Sequence, residues 1–471
     1  MNTWAIIRTI LEITYAVVVL GIVIKVISQN RNPLKTTSWI LFLVLVPFFG
    51  LFCYYFFGQD ARQIRIISNK KYKLLKKRSS TQPAILPDDS AGRTEYHALA
   101  HLLNHNHEAA LLQGSLIDVY TNGKPKFDAL IEDLSQAKHH IHLQYYIFND
   151  DEIGHKIRSL LIDKVREGIA VRVLYDDVAN WKVKNRFYKE MAAEGIELTA
   201  FLKVHFPVFT SKVNYRNHRK VLVIDGKIGY LGGMNIADRY LSSHWRDTHI
   251  RIDGRGVLGM QSAFLIDWYS SGKELITGLE YFPPLSIKSD NLMQIVAGGP
   301  ISQWRTLLQA TIQIIANSKD YVFIQTPYFM PEESLAQTLQ FAALSGTDVR
   351  LMVPEKADTR FVTSASRSYY EAMLRAGVKI YIYKDAFLHA KMIVADDFLT
   401  VLGSANMDFR SFEHNFEINS YIYDPKFALQ MKNVFFEDQR CCNQIILNAW
   451  NKRPAIRKFQ ESILRLFSPL F

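Results

Sequence analysis

Two short segments carry residues suited to the same chemistry. Residues 217–225 read Asn-His-Arg-Lys-Val-Leu-Val-Ile-Asp, and residues 388–396 read Leu-His-Ala-Lys-Met-Ile-Val-Ala-Asp. Both are His-x-Lys-x4-Asp patterns: His218, Lys220 and Asp225 in the first, His389, Lys391 and Asp396 in the second. One such pattern is a weak signal, because a lone strand histidine is more often a satisfied core residue. The pair is stronger, because the register continues. Gly232, Asn235 and Arg239 follow Asp225 at the offsets at which Gly403, Asn406 and Arg410 follow Asp396. Duplication of a functional unit explains such shared spacing better than coincidence does.

His and Lys two positions apart on a strand project to the same side. The pattern therefore sets an imidazole beside an ammonium on one sheet face. Displacement at a phosphodiester needs a nucleophile in line with the leaving oxygen, an acid for that oxygen, and donors around the non-bridging oxygens. Two imidazoles can divide the first two tasks. Lys220, Lys391, Asn235 and Asn406 are expected to hold the phosphate oxygens. Asp225 and Asp396 lie an odd five residues past their lysines, so they are expected at strand ends, supporting local geometry. Asp247 and Glu417, 29 and 28 residues past the two histidines, are candidates to orient the imidazoles. This chemistry requires no metal and no cofactor. Gly232-Gly233 lacks the Lys-Ser/Thr of a nucleotide-binding loop.

The elements that must position these residues repeat as well. Residues 141–148 resemble 322–329, with Gln144 and Gln325 in register. Each is followed by a helical pattern, a Gly-x-x-Val-Arg strand opening (168–172 and 346–350), and a second helix leading to Gly195 or Gly377. The alternation predicts an α/β fold of two pseudo-twofold-related α/β/α sandwich halves. The first half carries roughly ten extra residues before its motif. His205, Pro207, Lys212 and Arg216 mark that insertion as a loop at the mouth of the site.

The N-terminal end reads as membrane-embedded. Residues 38–57 form a run of 20 without a charge, about 30 Å as a helix and enough to cross a bilayer core. Pro47 and Gly50 interrupt it, as membrane helices tolerate. The segment 3–27 is less clean, with Arg8 and Glu12 spaced to pair and Lys25 placed to snorkel. Together they predict a transmembrane helical hairpin. The basic run Arg62, Arg65, Lys70, Lys71, Lys73, Lys76, Lys77 and Arg78 puts both hairpin ends in the cytoplasm. A linker follows over 79–92. The expected organisation is a hairpin over 1–60, a basic segment and linker over 61–95, a first half over 96–285 and a second half over 286–471. The tail from 453 mixes Arg457, Lys458 and Arg465 with Ile456, Phe459, Ile463, Leu464 and Leu466. It is an amphipathic helix for either the membrane surface or the protein body. The net charge of +11 favours anionic partners. Cys53, Cys441 and Cys442 fit small buried residues in a reducing compartment, not a zinc site.

The paired motifs with their downstream Gly-x-x-Asn resemble the phospholipase D superfamily over about residues 110–445. Residues 32–41 and 47–51 of the hairpin, Asn214-Tyr215-Arg216-Asn217, Thr326-Pro327-Tyr328-Phe329 and the tail 466–471 narrow the resemblance to membrane-anchored bacterial cardiolipin synthases. The resemblance implies that two phosphatidylglycerol molecules are joined with release of glycerol. It further implies a phosphatidyl-histidine intermediate, with His218 as nucleophile and His389 as acid and then base. Ser404 departs from the first half, which has Gly233. Phosphatidylglycerol and anionic membrane lipid are the expected partners, at the cytoplasmic face of a bacterial inner membrane. A homo-oligomer is compatible with this reading. The hairpin argues against a nuclease and therefore against nucleic acid as partner, while a hydrolytic phospholipase D is the rival on the same scaffold.

Overall fold

A computed structural model describes residues 3–28, 33–46, 48–58, 68–79, 94–107, 109–203 and 214–470. Pro47, Arg62, Arg65, nearly all of the expected linker, and His205, Pro207 and Lys212 of the insertion lie outside these residues. The described N-terminal residues 3–58 form one compact unit, and residues 68–203 with 216–470 belong to a second.

In the N-terminal unit the roles of the two apolar segments are reversed from expectation. Thr3–Ser28 is one unbroken helix of 26 residues, long and apolar enough to cross a membrane. Arg8 and Glu12 pair at 2.8 Å on it, so these two charges neutralise each other locally, and Lys25 lies in the last turn. The second segment is not a single 20-residue helix. It divides into Pro33–Leu45, Phe49–Cys53 and a π-helical turn at Tyr54–Gly58. Thirteen helical residues reach about 20 Å, short of a bilayer core of about 30 Å. The chain reverses at Phe48, whose φ is 62°, and Gly50 then packs so closely that a Cβ would lie 2.8 Å from the Phe42 carbonyl oxygen. The Tyr15 hydroxyl donates to the Leu43 carbonyl at 2.5 Å and joins the two helices.

The remainder holds two sheets built alike. The first runs Ser115–Tyr120, His249–Gly254, Ile228–Gly232, Lys220–Ile224, His140–Tyr145, Ala170–Asp176, Glu197–Phe201. The second repeats that order as Leu292–Gly298, Asn415–Tyr423, Leu399–Gly403, Met392–Ala395, Tyr321–Gln325, Asp348–Pro354, Lys379–Tyr383, with a short strand added at each edge. In each, the last three strands are parallel and joined through helices, while the motif strand is antiparallel to its neighbours. Strand alternation divides the side chains between two cores. Val221 and Val223 face a core shared with Met392, Val394 and Ile418 of the second sheet, and Leu222 and Ile224 face the first half's own helices.

The expected boundary at residue 96 shifts. Tyr96, Leu99 and Leu103 on the helix Thr94–His107 bury against Val296, Ile314 and their neighbours, and Leu112 pairs with Met293. The segment up to Gln113 therefore packs with the second half, and the first sheet begins at Ser115. The basic segment also differs from a solvated linker. Its helix Asn69–Ser79 lies on Gly256–Ser270, with Leu75 and Lys76 buried and the Lys71 ammonium 2.5 Å from the Tyr269 hydroxyl.

The register shared by Gln144 and Gln325 has a structural reason. Gln144 donates to Asp267 at 2.5 Å and Gln325 to Asp438 at 2.7 Å. Each buried carboxylate also meets an arginine: Arg219 reaches Asp267 at 2.5 Å, and Arg246 holds Asp438 at 2.8 and 2.6 Å. Arg219 further donates to the carbonyls of Glu417 and Gly298, and Arg246 to that of Asp247, so both guanidinium groups sit at the seam. A buried charge left without its partner is strongly destabilising. Arg246→Met should therefore cost about 3–5 kcal/mol in denaturant unfolding, and the Asp438→Leu, Arg246→Met double variant should recover most of that loss.

Candidate active site

The two motifs meet at the seam because each is threaded onto the other half. Arg216–Asn217 pairs in parallel with Asn415 and Phe416, and the His218 N–H donates to the Phe416 carbonyl at 2.9 Å. In the mirrored arrangement Trp245–Arg246 pairs with Phe387–Leu388, and the His389 N–H donates to the Arg246 carbonyl at 2.7 Å. These strands are only two residues long, yet they set both imidazoles on one cleft of about 590 Å³. Asn235, Asn406, Tyr146, Tyr328, Arg216 and Arg410 also line it.

Each imidazole is held by a carboxylate from the opposite half. His218 Nδ1 lies 3.0 Å from both carboxylate oxygens of Glu417, and His389 Nδ1 lies 2.7 Å from Asp247 Oδ2. Both carboxylates are fully buried. With Nδ1 occupied, Nε2 is the ring nitrogen left for chemistry. The carboxylates differ in length, and their supports differ to match. A Cβ at Gly233 would lie 2.1 Å from Asp247 Oδ1, so glycine is required there. At the equivalent place Ser404 donates its hydroxyl to Glu417 at 2.5 Å, and Asn415 donates to the other oxygen at 3.1 Å. The departure at Ser404 is thus a hydrogen bond to the carboxylate that holds His218.

The remaining expected residues divide into two groups. Asp225 and Asp396 sit at the far ends of their strands, with φ of 54° and 50°. Asp225 accepts the N–H groups of Lys138, His139 and His140 at 2.8–3.0 Å, and Asp396 those of Lys319, Asp320 and Tyr321 at 2.9–3.0 Å. They tie the loop before the central strand and do not face the cleft. Lys220 and Lys391 differ from the expected phosphate contacts: each ammonium turns back and donates to the carbonyl of its own histidine, Lys391 at 2.5 Å. Asn235 bridges the Ile147 N–H at 3.1 Å and the Tyr240 hydroxyl at 2.7 Å. The buried Asn406 carbonyl oxygen has no hydrogen-bond partner among the described residues.

Burial dominates the electrostatics. It pushes His218 below its ordinary value, with Lys220 adding to the shift and Glu417 opposing it. Burial and Lys391 push His389 down to about 3, against the pull of Asp247. Burial also lowers Lys391 to about 8, opposed by Asp247 and Glu417. For Asp247, burial resists ionisation, but His389 and Lys391 outweigh it and the carboxyl lies below its ordinary value. Burial raises the cleft carboxyl of Asp408 to about 6. The aromatic wall at His389 was not anticipated. Trp245 lies 5.4 Å and Phe387 5.6 Å from that imidazole. Asp267 and Asp438 were also missed, although both stand 49 residues beyond their histidines (267 − 218 and 438 − 389).

A family model described as the phospholipase D-like domain of cardiolipin synthase matches residues 130–265 and 311–439, more than half of the chain. The chain belongs to this family. A second model, the N-terminal segment of phospholipase D-nucleases, matches residues 16–59. Cardiolipin synthase 2 of Bacillus anthracis is 39% identical over 461 residues, covering 94% of this chain and 88% of that protein. The major cardiolipin synthase ClsA of Bacillus subtilis is 37% identical and covers 98% of each. The crystal structure of phosphatidylserine synthase from Haemophilus influenzae superposes with a TM-score of 0.62 at 15% identity, covering 79% of this chain and all of that one, which shows the shared fold. As a cardiolipin synthase-family enzyme the chain is a phosphatidyltransferase, and its long apolar N-terminal helix associates it with the membrane.

Two outcomes follow from the buried pairs. Glu417→Gln and Asp247→Asn keep the side-chain shape but remove the charge that fixes the histidine tautomer. Each should lower kcat by about 10³–10⁴, as for other buried carboxylates that orient a histidine, with far-UV circular dichroism unchanged. Lys391 is cationic below its pKa, so its charge at the site is lost as pH rises. The kcat/KM profile on phospholipid should fall through about pH 8, and an arm that stays flat to pH 10 would remove Lys391 from that role.

Proposed function

We propose that the two histidines join two phosphatidylglycerol molecules through a phosphohistidine intermediate. His218 Nε2 attacks the phosphorus of the first lipid. The bond to the headgroup glycerol breaks, and His389 gives its proton to the leaving glycerol oxygen. A headgroup hydroxyl of the second lipid then enters, and His389 takes its proton. The resulting alkoxide attacks the phosphohistidine, which releases cardiolipin and returns His218 neutral.

The observation that carries this reading is the crossed pairing: Glu417 on His218 and Asp247 on His389, with both rings on one cleft. Each carboxylate stabilises the imidazole when it becomes cationic. Burial and Lys391 oppose a proton on His389 in the free enzyme, and an anionic diester alongside favours one. Asn406 and Asn235, whose amide N–H groups can donate to phosphate oxygens, line the cleft and are the proposed phosphate-binding side chains. Lys220 and Lys391 act from behind as fixed positive charge, and Asp225 and Asp396 as supports of the motif strands. Arg216, Arg239 and Arg410 line the same cleft and suit a reaction in which both substrates are anionic. The two N-terminal apolar helices would enter the bilayer as a hairpin, with the catalytic body on the cytoplasmic face.

Purified enzyme incubated with phosphatidylglycerol should yield cardiolipin and glycerol in equal amounts. Phosphatidic acid without cardiolipin would make it a hydrolase instead. His218→Ala and His389→Ala should each lower turnover by at least about 10⁴-fold. In digests of His389→Ala quenched with denaturant at neutral to mildly alkaline pH, where a phosphorus–nitrogen bond survives, the slow adduct should map to His218. An adduct on residue 389 of the His218→Ala enzyme, or in wild type, would reverse the roles.

A further inference from the structure

The C-terminal helix Ala455–Arg465 is amphipathic in the reverse sense of a surface helix. Glu461 and Lys458 face the protein, while Arg457 stays exposed at the edge of that face. Glu461 is 4% exposed and receives both bonds from Arg453 at 2.8 and 2.9 Å. Lys458 donates to the Asn451 carbonyl at 3.0 Å, and the Arg465 guanidinium lies 4.3 Å above the Tyr369 ring. Its apolar residues face outward: Ile456 is 64% exposed, Phe459 61%, Ile463 42% and Leu466 78%. These positions follow one helical stripe. In water such a face is unfavourable by the area it leaves wet, and a patch of this kind marks a contact surface.

The location of the stripe identifies the partner. The helix Arg360–Arg367 packs along the C-terminal helix, and Thr359 and Val362, at the start of that element, line the catalytic cleft. Phe361 beside them is 62% exposed. The turn Ser468–Leu470 rests on Phe409–Glu413, whose Arg410 lines the cleft from another side. The apolar ridge therefore begins at the rim of the cleft, and its flanks carry the exposed cations Arg360 and Arg457. Apolar side chains flanked by cations suit the headgroup–acyl boundary of an anionic bilayer.

We propose that this ridge docks on an anionic phospholipid bilayer and brings the cleft rim to headgroup level, so that a substrate headgroup enters without leaving the membrane. The proposal rests on the phospholipid-substrate reading given above. It assigns the C-terminal helix a membrane contact of its own, in addition to the N-terminal helices.

The test compares full-length wild type with the Phe459→Asp, Ile463→Asp double variant. Each is assayed on phosphatidylglycerol in proteoliposomes and on dispersed short-chain phosphatidylglycerol in detergent. The variant should lose about tenfold or more activity in the bilayer assay and retain wild-type activity on the short-chain lipid. Unchanged bilayer activity, or equal loss in both assays, overturns the proposal. Photoactivatable phosphatidylglycerol in the same vesicles should label residues 455–467 of wild type. No lipid label on that helix, together with a bifunctional amine crosslinker joining Lys458 of two copies, would make the partner a second copy instead. Failure of wild type to convert the short-chain lipid would refute the substrate reading, whereas lipid labelling of the helix reports on docking whether or not conversion occurs.

Discussion

The structure depends on a crossed pair of buried carboxylate–imidazole contacts. Glu417 of the second half holds His218 of the first, and Asp247 of the first holds His389 of the second. Neither half is a complete site alone. Its histidine would lack the carboxylate that fixes the ring, and its carboxylate would be a buried charge without a counterpart, which is among the costlier arrangements in a protein interior. The interaction that orients the catalytic rings is therefore also one that holds the halves together.

This constraint explains much of the surrounding architecture. The two-residue pairings Arg216–Asn217 with Asn415 and Phe416, and Trp245–Arg246 with Phe387–Leu388, bring each carboxylate beside the opposite histidine. Arg219 and Arg246 neutralise Asp267 and Asp438 behind the seam. Their positions in the two halves differ. The first motif has Arg219 between its His and Lys where the second has Ala390, and Arg246 precedes Asp247 where Phe416 precedes Glu417. Phe416 instead lies under the Arg219 guanidinium at 5.6 Å. The duplicated halves have thus diverged at the seam, where one arginine from each position suffices, and have kept their correspondence at the carboxylates.

The same divergence gives the cleft two unlike sides. Beside His218 stand Arg216 and Tyr146, while beside His389 stand Trp245, Phe387 and Tyr240. A pseudo-twofold site is in this way made asymmetric, as a reaction requires when one imidazole attacks and the other transfers protons. The exposed apolar stripe of the C-terminal helix belongs to the second half alone and adds a further asymmetry.

Much of the layout of the candidate site was legible in the sequence because it is local. Strand period two, the repeated offsets of His, Lys, Asp, Gly and Asn, and the alternation of strands and helices are properties of neighbouring residues, and the sheets follow them strand for strand. Asp225 and Asp396 were legible as supports for the same reason, being an odd number of residues past their lysines at a turn. The N-terminal segments were misjudged because uncharged length does not reveal a chain reversal such as the one at Phe48 and Gly50. Which histidine each carboxylate serves was not legible either. Offsets of 29 and 28 residues place Asp247 and Glu417 on a following strand, but they do not tell whether that strand serves its own motif or the opposite one. Tertiary structure decided this by packing two like sheets face to face across a shared core, which sets the end of each carboxylate strand against the other half's motif. The same packing turned both lysines back onto their histidines' carbonyls and Glu461 of the last helix inward onto Arg453, because buried charges take the nearest available partners. The two motifs by themselves determined the chemistry, and the crossing of the halves decided how it is assembled.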